Sequence, residues 1–162
     1  MYRLNLLLPW IFLGFVTLTM YGVEHFVMID IKIKKMYELK DRQSLLSIVM
    51  DEEWNWYQRS AALEMAFSLK CGINDPWITK IMSSGNINFR QSLMRGCLQN
   101  PPDKIPSNLI ENLLQDNYSY IKYRTLQYIK KHDLLDRYRS SIIKLRQDPS
   151  SMVSNLANDI NF

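Results

Sequence analysis

The amino-acid sequence predicts an all-α protein with one N-terminal transmembrane helix, within residues 1–28, followed by a stack of about four helix pairs. Residues 4–23 contain no charged side chain, and a helix of that length spans the roughly 30 Å hydrocarbon core of a bilayer. Downstream, apolar residues recur every 32 positions in four copies, which is typical of stacked helical repeats. Apolar residues make up 47% of the chain, enough to fill the core of such a stack.

The uncharged segment is interpreted as an uncleaved membrane anchor. Arg3 precedes it, and Glu24 is the next charged residue. A cleaved signal peptide would need small residues around the cleavage site, and residues 19–22 meet that requirement poorly. A buried core helix is the other alternative, but an uncharged stretch of this length is long for one.

The positive charges after the anchor favour a single-pass membrane protein with its repeats in the cytoplasm. The short N-terminal tail has only one Arg, which also suits the opposite orientation, so both orientations stay open. The positive charges that follow the anchor are Lys32, Lys34, Lys35, Lys40 and Arg42.

Residues 29–40 form a connector between the anchor and the repeats. Ile31 and Ile33 alternate with lysines, which is typical of a strand, whereas Met36 and Leu39 fit a helix equally well. The connector is therefore either a short irregular link or an extension of the anchor helix.

The 32-residue period defines the helix pairs of residues 41–162. Apolar residues within each copy follow helical spacing. The columns, in chain order, are Leu46, Ile78, Ile110 and Ile142; Val49, Ile81, Leu113 and Leu145; Tyr57, Phe89, Ile121 and Val153; and Ala61, Leu93, Thr125 and Ala157.

Turn residues set the helix boundaries. Asp75-Pro76 opens a helix, because Asp caps N-termini and Pro is tolerated at the first helical position. The segment 100–104 (NPPDK) separates the second pair from the third. The predicted helices are 42–50, 56–70, 76–82, 87–99, 106–115, 118–131, 134–146 and 149–161.

The turn within each pair resembles that of HEAT repeats. An acidic residue precedes apolar, basic and Ala or Leu positions, as in 52–62 (EEWNWYQRSAA) and 116–126 (DNYSYIKYRTL). The resemblance extends from Asp41 to about Ile160 and implies an α-solenoid. In the second copy Arg90 sits earlier than the motif Arg, and in the fourth Asn155 replaces it. The resemblance further implies that turn acids and following arginines connect neighbouring repeats, namely Glu52, Asp116, Asp148, Arg59 and Arg124.

The two cysteines are predicted to be reduced. Subtracting one period from Cys97 gives position 65, six residues from Cys71, or about 9 Å along a helix. A disulfide needs Cα atoms within about 7 Å. Two buried thiols that pack between helices are therefore expected.

The sequence has no motif that indicates catalysis. The only two histidines, His25 and His132, are far apart in the sequence, and no zinc-protease, nucleotide-loop or redox motif is present. We therefore expect no enzymatic activity, no cofactor and no metal site.

Two groups of residues are candidates for binding. Bulky aromatic residues clustered at a turn cannot all point inward, and exposed Trp and Tyr are typical protein-binding residues; these are Trp54, Trp56 and Tyr57, with Trp77 nearby. Residues 117–147 have eight cations against two aspartates, a balance of +6. These cations are Lys122, Arg124, Lys130, Lys131, Arg137, Arg139, Lys144 and Arg146.

These features together predict a non-enzymatic, membrane-anchored scaffold or accessory subunit that docks on a larger membrane protein complex. We expect protein subunits as partners and lipid contact through residues 4–23. One alternative is an inhibitor or immunity-type protein that binds a single specific partner. The other is binding of nucleic acid or anionic lipid through residues 122–146, although nucleic acid is not the expected partner of a membrane-tethered chain.

Overall fold

The computed structural model describes residues 31–72 and 75–162. These residues form helices and no strand, so the predicted all-α class is confirmed. The helices are α1 (31–38), α2 (Arg42–Met50), α3 (Trp56–Leu69), α4 (Pro76–Met82), α5 (Ile87–Cys97), α6 (Ser107–Leu114), α7 (Ser119–Lys131), α8 (Arg139–Leu145) and α9 (Ser151–Asn158), with a 3-10 turn at Pro102–Lys104.

The predicted anchor at residues 4–23 lies outside the described residues. Within 31–72 and 75–162, no helix combines the length and the apolar character that a membrane crossing requires. The C-terminal part of the connector is helical, as α1, and Ile33 on this helix is buried in the core.

The helices pair in sequence order as α2 with α3, α4 with α5, α6 with α7, and α8 with α9. The first pair is antiparallel, because Arg42 Nε donates to the carbonyl of Ala66 at 3.2 Å while Arg59 Nε donates to the carbonyl of Val49 at 2.8 Å. The second helices of successive pairs also contact one another, α3 with α5, α5 with α7, and α7 with α9. The core therefore runs along the stack.

The helix boundaries repeat with the predicted period. The first helices of three pairs end at Met50, Met82 and Leu114, and these ends are 32 residues apart. The second helices α5, α7 and α9 begin at positions 87, 119 and 151, again 32 apart. All eight residues of the Leu46 and Val49 columns are buried.

The second helix of the first pair departs from this register by one residue. The turn before α3 has five residues, 51–55, whereas the turn before α5 has four, 83–86. As a result, Tyr57 and Ala61 do not occupy the buried columns predicted for them. The buried triplet of α3 lies 31 residues before its counterpart in α5: Ala62, Leu63 and Ala66 against Leu93, Met94 and Cys97.

The prediction of two reduced cysteines is wrong. Cys71 and Cys97 form a disulfide, with their Cα atoms 5.4 Å apart. The prediction treated the six-residue offset as a distance along one helix axis, but α3 ends at Leu69 and Lys70 is extended. The chain therefore turns away from the α3 axis, and Cys71 reaches the last turn of α5.

Buried ion pairs connect successive repeats. Arg90 Nε donates to Asp116 at 2.8 Å, and Lys122 pairs with Asp148 in the next repeat. Asp116 also accepts the backbone N–H of Tyr118 at 2.8 Å, which fixes the turn. Asp116 and Asp148 thus have the structural role that the motif implied.

The basic partners differ from those that the motif implied. Arg124 is exposed and stacks over Tyr120, whereas Lys122 makes the inter-repeat pair. In the observed register, Arg59, Arg90 and Lys122 occupy equivalent positions. Arg59 also lies over the ring of Phe89 in the next repeat, with 5.4 Å to its centroid. Glu52 is exposed at the turn.

Candidate functional site

The turn from α2 to α3 presents two exposed aromatic side chains. Trp56 is 60% exposed and Tyr57 is 44% exposed, and their rings meet edge to face with centroids 6.1 Å apart. Trp54 instead packs against the core, with the Lys32 ammonium 5.2 Å from its ring centroid. The expectation that these aromatics cannot all point inward is confirmed.

A capping box fixes the direction of these aromatics. The Asn55 side chain accepts the Gln58 N–H at 3.0 Å, and the Gln58 side chain accepts the Asn55 N–H at 3.2 Å. This reciprocal arrangement starts the helix rigidly at Trp56. Gln58 is buried, so the two residues before it face outward at the first turn of α3.

Trp56 and Tyr57 stand at one end of a groove between α3 and α5, here called the aromatic groove. Its volume is about 380 Å³. Its lining is Trp56, Tyr57, Ser60, Ala61 and Glu64 from α3, with Asn88, Gln91, Ser92 and Arg95 from α5. The aromatic groove therefore combines an aromatic end with amide and hydroxyl side chains.

The two helices that line the aromatic groove approach each other closely. Gly96 of α5 faces α3, and a Cβ at this position would lie 2.4 Å from the carbonyl oxygen of Glu64. The small side chains of Ser60 and Ser92 are also buried here. The narrow crossing depends on these small residues.

Ser60 has an unsatisfied hydroxyl group. Within the described part of the chain, its Oγ is the one buried side-chain N or O atom without a hydrogen-bond partner. Such a group costs about 1–3 kcal/mol. Thr125 shows how a helical hydroxyl avoids this cost, since its Oγ1 donates to the carbonyl of Ile121 at 2.8 Å. Ser60 makes no such bond, and its Oγ is closed off from solvent.

An ion pair closes the other end of the aromatic groove. Arg95 Nε donates to Glu64 at 2.6 Å, and Arg95 Nη2 donates to the Ser92 hydroxyl at 3.2 Å. The negative charge of Glu64 and the positive charge of Arg95 therefore offset each other at this end of the aromatic groove.

Trp77 does not join the other predicted aromatics. Trp77 lines a separate groove together with Arg42, Lys70 and Asp75. This groove lies near the start of α2, whereas Trp56 follows the end of α2. The Lys80 ammonium lies 5.1 Å from its ring centroid. The structure thus brings Trp56 and Tyr57 together and separates Trp77 from them.

Several members of the predicted basic surface have internal partners. The Lys122 side chain is 11% exposed and pairs with Asp148. Arg146 Nη2 donates to the carbonyl of Ile160 at 2.8 Å, beyond the end of α9. Arg139 donates to Asp136 at 2.7 Å and Arg137 donates to the Ser107 hydroxyl. Arg137 and Arg139 remain exposed despite these bonds, as do Arg124, Lys130 and Lys131 on α7 and Lys144 on α8.

Two tyrosines interleaved with these cations belong to the core. The Tyr128 hydroxyl donates to the carbonyl of Asn100 at 2.8 Å. Burial, with smaller effects from Tyr138 and Asp103, raises the pKa of Tyr128 to about 12. Burial also raises the pKa of Tyr138. These rings are unavailable for stacking with a nucleic acid base.

Comparison with protein-family models, with curated proteins and with solved structures finds no match. The resemblance to HEAT repeats stays a prediction. Across 31–72 and 75–162, no cluster of three His, Cys, Asp or Glu side chains could hold a metal ion.

Sequence reasoning missed the polar part of the aromatic groove. Ser60, Glu64 and Arg95 were not singled out, because the strict 32-residue alignment assigned α3 the wrong inward face. The longer turn at 51–55 was the available signal. A 31-residue offset aligns Arg59 with Arg90 and brings the basic positions of α3, α5 and α7 into one column.

Proposed function

We propose that the protein is a non-enzymatic, membrane-anchored scaffold or accessory subunit that docks on a larger membrane protein complex. In this proposal residues 4–23 form the anchor, the helix pairs form an α-solenoid of the HEAT-like type, and the aromatic groove binds the partner. The observation that supports the proposal best is the exposed pair of Trp56 and Tyr57 at one end of the aromatic groove.

The chemistry of the aromatic groove suits a protein partner. Trp and Tyr are the residues that most often dominate the binding energy of protein interfaces. The amide side chains of Asn88 and Gln91 line the aromatic groove and can hydrogen-bond to a partner's polar groups. The anchor would confine the solenoid to the membrane plane, which raises its effective concentration near membrane partners.

The disulfide changes the expected compartment. Disulfides persist in oxidising compartments and are rare in the cytosol, so the pair Cys71–Cys97 favours a solenoid outside the cytoplasm. The lysines after the anchor favour the opposite orientation, with the solenoid in the cytoplasm. The disulfide is the stronger argument, because it requires an oxidising compartment, whereas the distribution of lysines is only a statistical bias. Cysteine alkylation in intact cells, with and without prior reduction, tests it: labelling without reduction would contradict the proposed compartment.

The inhibitor or immunity-type alternative uses the same aromatic groove. It differs in stoichiometry, because it predicts a one-to-one complex with one soluble protein. Binding of anionic lipid or nucleic acid through 122–146 has less support, since Lys122 and Arg146 are engaged in internal contacts.

The test is the native mass of the protein extracted from its own membranes in mild detergent, with the co-purifying chains identified. We expect an assembly of fixed composition that Trp56→Ala dissociates. Tyr118→Ala is the matched control, because Tyr118 is exposed but lies outside the aromatic groove. A lone chain would refute the proposal, and an assembly that survives Trp56→Ala would exclude the aromatic groove as its docking site. A simple pair with a soluble protein would favour the inhibitor alternative.

A further inference from the structure

Helix α1 has one face in the core and one face in solvent. Ile33 is buried, and Met36 and Tyr37 are half-buried against the core. On the opposite side Ile31 is 51% exposed and Leu39, just past the helix end, is 70% exposed. Because the inward face fixes the helix to the first repeat, the outward face has a defined orientation relative to the solenoid.

The exposed side of α1, here called the α1 surface, is basic as well as apolar. Its residues are Ile31, Lys34, Lys35, Glu38 and Leu39, with Lys40 after the helix end, whereas Lys32 lies over the Trp54 ring. Its three lysines, Lys34, Lys35 and Lys40, exceed its one acid, Glu38, by a net charge of +2, and the Lys34 ammonium lies 3.9 Å from the Glu38 carboxylate. Exposed aliphatic residues interspersed with lysines are typical of helices that lie at a membrane interface.

The position of α1 in the chain places this surface near the bilayer. Seven residues, 24–30, separate the uncharged segment 4–23 from α1. Seven residues span at most about 25 Å even when fully extended. If residues 4–23 cross the membrane as proposed above, α1 is the described element closest to the lipid headgroups in the sequence.

We propose that the α1 surface rests on anionic phospholipid headgroups and so sets the orientation of the solenoid on the membrane. The lysines face the phosphates, and Ile31 and Leu39 enter the interfacial region. Each lysine near an anionic surface strengthens the attachment about fivefold. The inference depends on the proposed anchor, and it explains why lysines follow the anchor if the solenoid lies outside the cytoplasm.

The experiment uses the full-length protein in vesicles of phosphatidylcholine alone or mixed with phosphatidylglycerol. An amine-reactive reagent labels the lysines, and mass spectrometry gives the labelling rate at each site. We expect Lys34 and Lys35 to react about fivefold more slowly in the anionic vesicles. Lys80 and Lys130, exposed on other helices, are the internal controls for vesicle orientation and should react equally in both lipids. High salt should remove the difference.

Flotation of the vesicles after an alkaline wash measures the anchor separately. Failure to float in both lipids would refute the anchor and this inference with it. Flotation in both lipids with equal labelling of Lys34 and Lys35 would overturn the inference alone, leaving the proposed function in place. If Lys34 and Lys35 react more slowly than Lys80 and Lys130, but to the same extent in both lipids, protein rather than lipid shields them. That result would also overturn the inference.

Discussion

Gly96→Ala is the sharpest test of the close crossing between α3 and α5. The new Cβ would lie 2.4 Å from the backbone carbonyl oxygen of Glu64 and 2.9 Å from Cβ of Phe67. Ordinary contact begins near 3.4 Å, so the two helices must separate by about 1 Å. Neither neighbour can rotate away, because one is backbone and the other is the first side-chain atom.

The expected magnitude follows from two opposing effects. Alanine is favoured over glycine inside a helix by about 1 kcal/mol. Overpacking of a well-packed core costs about 1–3 kcal/mol, and more when backbone must move. Because backbone must move here, we expect the cost to exceed the gain and the free energy of unfolding to fall by about 2 kcal/mol.

Urea unfolding of the full-length protein in mild detergent, followed by circular dichroism, measures this difference. Gly85→Ala is the matched control, because a Cβ at Gly85 meets nothing within 4 Å. The reasoning would be refuted if Gly96→Ala were as stable as the wild type or more stable, since helix propensity alone would then account for the result.

Two further predictions concern contacts between successive repeats. The Cys71–Cys97 bond closes 26 residues of sequence, so we expect its removal to lower the free energy of unfolding by about 3–4 kcal/mol, measured by urea unfolding with and without reductant. Tyr128 has a folded pKa of about 12 against 10 for a free tyrosine. Between these pH values the unfolded chain has lost the proton that the folded chain keeps, so stability should decrease as pH rises from 10 to 12, by at most about 3 kcal/mol.

Matched variants isolate each effect. A variant with both Cys71 and Cys97 replaced by serine should unfold at the same urea concentration with and without reductant. If reductant shifts its unfolding, the loss of stability seen in the wild type does not come from the disulfide. Tyr128→Phe should reduce the dependence of stability on pH above 10, whereas Tyr118→Phe, at an exposed tyrosine, should leave it unchanged. An unaltered pH profile in Tyr128→Phe would contradict the assignment to Tyr128.

The sequence was sufficient to predict the helix pairs because burial imposes a strict pattern on them. Each first helix buries the same two positions, so Leu46 and Val49 have buried equivalents in all four copies. Caps such as Asp75, which accepts the Trp77 N–H at 3.0 Å, are equally local. Features of this kind depend on residues a few positions apart in the sequence, so they can be predicted without a structure.

Contacts across the stack could not be predicted in the same way. Periodicity indicates which face of a helix is buried, but it does not show which side chain of the next repeat lies opposite. Lys122 therefore looked like a surface cation although it pairs with Asp148. The two cysteines looked too far apart because the end of α3 had been placed beyond Leu69.

The one-residue departure at 51–55 links the principal error in the predicted register to the candidate site. With a four-residue turn, Tyr57 would occupy the column of Phe89 and Ile121, which pack on the core. The longer turn gives that buried position to Gln58, which completes the capping box with Asn55, and it leaves Tyr57 beside Trp56 at the surface. A polar residue in an apolar column and two exposed aromatics are unfavourable locally. Such departures from the local rules are typical of functional sites, and this is the physical reason for proposing the aromatic groove as the docking site.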